Sequence, residues 1–141
     1  MIVCGVELKG SEARLVLVSV NTDASPYHIG CNTKKLILGE DRNTDSIKTF
    51  LQAVKTFAHE NRVDVFAIKS RAKAGAMSGG AISFKMETLF QLSDREIVFI
   101  SPVTLAKFAK SNLGGIPTET LIYQKDAYLC GAYHLKKAGQ L

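Results

Sequence analysis

Apolar residues crowd Ile2 to Leu8 with little helical spacing, and again Arg14 to Val20 (Arg-Leu-Val-Leu-Val-Ser-Val), where β-branched types dominate. Both stretches read as strands. Lys9-Gly10-Ser11 supplies a turn, so a hairpin is the economical way to join them. Asn21 to Pro26 is turn chemistry, and Tyr27 to Cys31 follows as a third strand. Lys34 to Leu38 either extends that strand beyond a bulge or forms a short strand of its own. Ile47, Phe50, Leu51, Val54, Phe57 and Ala58 then recur at steps of three and four, the signature of an amphipathic helix. Asn43 or Thr44 can cap its start, Asp45 suits the positive end of its dipole, and Asn61 tolerates the conformation that ends a helix.

Val63 to Ile68 is a short apolar run that fits a buried parallel strand. A basic, glycine-containing loop, Lys69 to Gly80, separates it from a second helical stripe of Ile82, Met86, Leu89 and Phe90 that ends near Leu92. Glu96 to Ile100 is another strand, closed by Ser101-Pro102. Val103 to Lys110 makes a short helix, Gly114 to Pro117 a loop, and Leu121 to Lys137 a terminal helix. An order of three strands and then alternating helices and strands demands a mixed sheet with helices on its faces.

Composition narrows the class. A chain of 141 residues and 15.3 kDa folds to roughly 7,000 Å² of surface from roughly 22,000 Å² when open, enough burial for one domain over residues 1–141. No apolar run approaches the roughly 20 residues that span a bilayer, so no membrane partner is expected. The first residues, Met1 to Glu7, lack a basic leader. Cys4, Cys31 and Cys130 include no Cys-x-x-Cys pair. They are expected to be reduced, buried thiols of a cytoplasmic protein. The net charge of +5 permits a nucleic-acid partner without requiring one.

Three short motifs carry a resemblance. Gly5-Val6-Glu7 resembles the Gly-Ile-Asp that holds the first metal ligand of RuvC-like Holliday junction resolvases. Val65-Phe66-Ala67-Ile68-Lys69 resembles the strand that ends in their second acid, and Asp126-Ala127-Tyr128-Leu129 resembles the stretch supplying a last acid. The element order is similar to that of the ribonuclease H-like fold: a three-strand antiparallel meander plus parallel strands, about five in all, flanked by helices. Gly79 to Glu87, with Gln91-Leu92, further resembles a bacterial family known as domain of unknown function 3010, and that likeness covers essentially the whole chain.

The resemblance implies phosphodiester hydrolysis by two Mg²⁺ or Mn²⁺ ions held by converging carboxylates. Glu7 and Asp126 stand at two of the ligand positions, whereas the middle one is Lys69, which has donors and no lone pair. Tyr123 stands where a further acid would precede Asp126 by one helical turn. Three readings follow. Lys69 pairs with Glu7 or Asp126 and the site is structural or binding. Alternatively, Glu87 swings in as a substitute ligand for one metal, with Lys69 holding phosphate. In the third reading the middle strand is misaligned and all these residues are solvated.

Lys69, Arg71, Lys73 and Lys85 come without an intervening acid, and Gly75, Gly79 and Gly80 leave backbone amides open near a helix start. Such groups suit phosphate, although glycine-rich loops also serve merely as solvated turns. The spacing is not that of the Gly-x₄-Gly-Lys-Ser/Thr loop, which excludes that class of nucleotide hydrolase. His28, His59 and His134 lack metal-ligand spacing. The expected function is therefore that of a protein associated with structured DNA or RNA, descended from a nuclease, with weakened or lost metal chemistry. The alternative is a non-catalytic homodimeric interaction protein pairing through the 79–92 helix, as the resemblance implies.

Overall fold

The computed structural model describes residues 1–71 and 80–141. Its strands are β1 (Val3–Lys9), β2 (Glu12–Val20), β3 (Pro26–Ile29), β4 (Lys35–Ile37), β5 (Val65–Lys69) and β6 (Glu96–Ile100). Its helices are α1 (Thr44–Glu60), α2 (Gly80–Gln91), α3 (Pro102–Ala109) and α4 (Lys125–Lys137), the last preceded by a 3₁₀ turn at Ile122–Gln124. The sheet runs β3-β2-β1-β5-β6, with β4 also on β2. The first three strands are antiparallel, and β1, β5 and β6 are parallel.

The sheet has six strands where about five were expected. β3 pairs with the far end of β2, Val20 opposite Pro26, and β4 with its near end, Glu12 opposite Ile37. The chain leaves the edge of β2 at Gly30 and rejoins it at Lys35, so the two short strands share one edge.

Alternation along each strand sends its side chains to two separate cores. Cys4, Val6, Leu15, Leu17, Phe66 and Ile68 meet α1 and α2, where the Phe66 and Phe90 rings pack edge-to-face at 5.0 Å. Val3, Val16, Val18, Val65 and Ala67 meet α3 and α4. Asn43 caps α1 as expected, its Oδ1 accepting the Ser46 amide at 3.0 Å. At the other end Asn61 keeps a φ of −101° and Arg62, at 53°, takes the left-handed conformation instead. The Asn61 side chain explains the shift, since its Nδ2 donates to the Phe57 carbonyl at 2.9 Å and holds it in the last turn.

Two glycines set how closely α4 lies on the sheet. A Cβ on Gly5 would collide with the Ala127 carbonyl, and one on Gly131 would stand 2.6 Å from Val18 Cγ2. With no side chain at either point, the first turn of α4 rests directly on β1. No helix among the described residues is long and apolar enough to cross a membrane.

Candidate functional site

The alternation that builds the α4-side core also aims the charged residues. Val3 and Gly5 face α4, so Glu7 does too; Val65 and Ala67 face α4, so Lys69 follows. In the parallel register Gly5 lies beside Ala67 and Val6 beside Ile68, which brings Glu7 and Lys69 to neighbouring strand ends. Asp126 is in the first turn of α4, directly before the Ala127 that abuts Gly5.

The three residues therefore meet. Lys69 Nζ donates to Asp126 Oδ2 at 2.8 Å and lies 3.8 Å from Glu7 Oε2. Arg14 stands directly opposite Glu7 across the hairpin, with a guanidinium nitrogen 3.5 Å from Glu7 Oε1. Its Nε donates to Glu12 at 2.8 Å, and Lys35 Nζ lies 3.7 Å from the same carboxylate. Asp126, Lys69, Glu7, Arg14, Glu12 and Lys35 thus form a row of alternating charge from α4 across the sheet to β4. Tyr123 closes its far end, its ring centroid 4.6 Å from Lys35 Nζ and 5.6 Å from the Arg14 guanidinium carbon.

Burial raises the Glu7 carboxyl above its ordinary value, and the negative charge of Asp126 adds to it; Lys69 and Arg14 pull the other way without cancelling it. For Lys69 burial works to lower the pKa, but the hydrogen bond and charge of Asp126, with the charge of Glu7, outweigh it and the net shift is upward. Lys69 is accordingly an ammonium at neutral pH.

These residues do not fit a divalent metal. The space between the two carboxylates faces a fixed positive charge, and an ammonium has no lone pair to offer. Among the described residues no group of three or more His, Cys, Asp or Glu converges to hold an ion. Glu87, considered as a substitute ligand, is engaged elsewhere: its Oε2 lies 3.4 Å from Arg71 Nε, at ion-pair distance but without hydrogen-bond geometry.

The expected phosphate loop is distributed differently. The Arg71 guanidinium lies over the Phe84 ring, 3.2 Å from its centroid, and faces Glu87. Lys85 Nζ is drawn to Asp41, donating to its backbone carbonyl at 2.6 Å and its carboxylate at 3.1 Å. Neither is a free cation. Gly80, at φ 63°, opens α2, and among the described residues nothing lies within 4 Å of where its Cβ would stand. Lys73, Gly75 and Gly79 lie outside the described residues.

Sequence reasoning missed Arg14, Glu12 and Lys35. The signal was present: Gly10, at φ 59°, and Ser11 form a two-residue turn, and such a turn pairs Lys9 with Glu12 and hence Glu7 with Arg14.

The family described as Protein of unknown function (DUF3010) matches residues 1–134. This chain belongs to it. The fold of this chain is ribonuclease H-like, similar to that of RuvC. Thermus thermophilus RuvC, in a structure with a Holliday junction substrate, superposes with a TM-score of 0.74 at 10% identity, covering 99% of this chain and 97% of that one. The yeast mitochondrial Holliday junction resolvase Ydc2 gives 0.57 at 12% identity, over 92% and 74% of the two chains. A sequence relative, protein sey1 of Neurospora crassa, is 40% identical over 78 residues, 53% of this chain and 9% of that protein. The DUF3010 chain thus spans only a small part of that relative.

Proposed function

We propose that this DUF3010 protein is a nucleic-acid-associated protein on a nuclease scaffold from which metal-dependent hydrolysis has been lost. The observation that carries the reading is Lys69 Nζ at 2.8 Å from Asp126 and 3.8 Å from Glu7. A covalently attached cation takes the electrostatic place of an ion there, leaving two carboxylates satisfied and no open coordination position to activate water. The RuvC type of fold and the net charge of +5 support nucleic acid as the partner.

The test uses a labelled four-way junction and a matched duplex. Fluorescence anisotropy at 50 and 200 mM salt should give affinity that falls steeply with salt, as phosphate contacts require, while Mg²⁺ or Mn²⁺ leaves the DNA uncut. Cleavage abolished by Glu7→Gln or Asp126→Asn would overturn the loss of hydrolysis. Absence of affinity for either DNA at 50 mM salt would overturn the nucleic-acid reading.

One observation favours a second reading, in which two copies pair through α2. Phe84 and Leu92 are each 53% exposed and border a groove with Ile47, Thr88 and Leu89. Sedimentation of the wild-type chain and of Phe84→Asp distinguishes this reading: a dimer that the substitution dissociates supports it, and a wild-type monomer at micromolar concentration removes it.

A further inference from the structure

Next to the paired site, and sharing Lys69 and Asp126 with the α4 end of its row of charges, a pocket of about 470 Å³ opens between α3 and α4. Its volume is in the range of roughly 300–1,000 Å³ typical of small-molecule sites. The floor is apolar: Leu105, Ala106 and Ala109 from one face of α3 and Leu129 from α4. Its charged lining is three lysines, Lys69, Lys110 and Lys125, against the single acid Asp126. Lys69 is already bound to Asp126 and Glu7. Among the described residues Lys110 and Lys125 make no ion pair, so the pocket carries a surplus of two positive charges over an apolar floor. The larger groove along α1 has no such surplus, since Lys48 is balanced there by Glu60.

We propose that this pocket holds one nucleotide unit, with its phosphate on Lys110 and Lys125 and its base against Leu105, Ala106 and Leu129. An anion with an apolar body matches both halves of the lining, whereas inorganic phosphate alone would leave the floor uncovered. The inference deepens the nucleic-acid reading above and rests on it. A phosphorylated strand end and a free mononucleotide offer the same chemistry.

The test compares the full-length wild type with Lys110→Ala/Lys125→Ala, and with Lys136→Ala/Lys137→Ala as an equal loss of charge at the far end of α4. Amide spectra are recorded during titration with AMP, with a 5′-phosphorylated DNA tetranucleotide and with the same tetranucleotide lacking the phosphate. Junction binding is measured in parallel, and thermal melts confirm that both variants fold. Shifts at Ala106, Ala109 and Leu129 should appear with the phosphorylated probes. The pocket variant should bind the phosphorylated strand at least about fivefold more weakly, with a salt slope reduced by about one per lysine, and the control should change less. Shifts with AMP but not with the strand would assign the pocket to free nucleotide; shifts with the strand as well would assign it to a strand end. No shift at 102–110 or 125–129 with any probe, or an equal loss in the control, would overturn the pocket. If the junction still bound, the nucleic-acid reading would survive that result. Conversely, AMP shifts in a protein with no affinity for strand or junction would support the pocket and remove the reading it came from.

Discussion

Gly5 on β1 lies so close to Ala127 on α4 that a single methyl group at position 5 would overlap the Ala127 carbonyl. The obstacle is backbone rather than a pliable side chain, so α4 must lift to relieve it. Gly5→Ala is expected to destabilise by about 3 kcal/mol, the upper part of the usual overpacking range. For a chain of this length that lowers Tm by roughly 6–12 °C. A melting temperature unchanged within about 2 °C would show that the helix yields freely.

Lys69→Glu reverses the electrostatics of the paired site. It brings a third carboxylate to a place already bordered by Glu7 and Asp126, the convergence that hard cations require. Calorimetric titration with Mn²⁺ should register binding in this variant and none in the wild type. Manganese binding by the wild type, lost in Asp126→Asn, would contradict the misfit between these residues and a metal.

Two histidines should make stability pH-dependent. His28 sits 2.8 Å from Thr120 Oγ1. Burial lowers its pKa, with Glu119 opposing and Lys34 assisting. His134 is lowered in the same way, with Glu96 opposing and Lys137 assisting. Because the folded values lie below the unfolded one, folding holds both rings neutral. Their contribution is present above about pH 6.5 and is lost as pH falls through the lowered folded values. Urea midpoints should therefore fall between pH 7.5 and pH 5.5, and His28→Gln/His134→Gln should flatten that change. An equal slope in the double variant would place the titration elsewhere.

Thiol reactivity should split one to two. Cys4 and Cys130 are fully buried, and burial pushes both thiols far above their ordinary value. Cys31, expected in a strand, instead follows the end of β3 and is partly exposed. Native protein should react with one equivalent of a disulfide reagent at Cys31, and unfolded protein with three. Two or more fast equivalents in the native state would mean that a core opens readily.

The parts of this architecture visible from the chain were those governed by local pattern. Six apolar positions at steps of three and four marked α1, and dense apolar runs marked the strands at Ile2 to Leu8, Arg14 to Val20 and Val63 to Ile68. The meeting of Glu7, Lys69 and Asp126 followed from short motifs whose order matched a known arrangement of elements. Pairings set by tertiary geometry were hidden. Lys85 was read beside Lys69 and Arg71, yet its partner is Asp41, ahead of α1. Arg71, two residues beyond β5, instead faces Glu87 on α2. β4 escaped a firm reading because three residues, mostly exposed, are too few for alternation to declare itself, and the Lys35–Glu12 contact was hidden with it.

The position of α4 has a consequence for how the protein is made. β1 leaves the ribosome before the other strands, whereas α4, which supplies Asp126 and helps roof the second core, emerges after all of them. Until then Lys69 and Glu7 have no Asp126 to complete their cluster, and Val3, Val16, Val18 and Val65 have only part of their cover. A nascent chain stalled before Lys125 should accordingly be a chaperone client, with one finished side and one raw side. Docking of this late helix both completes the second core and assembles the charged cluster.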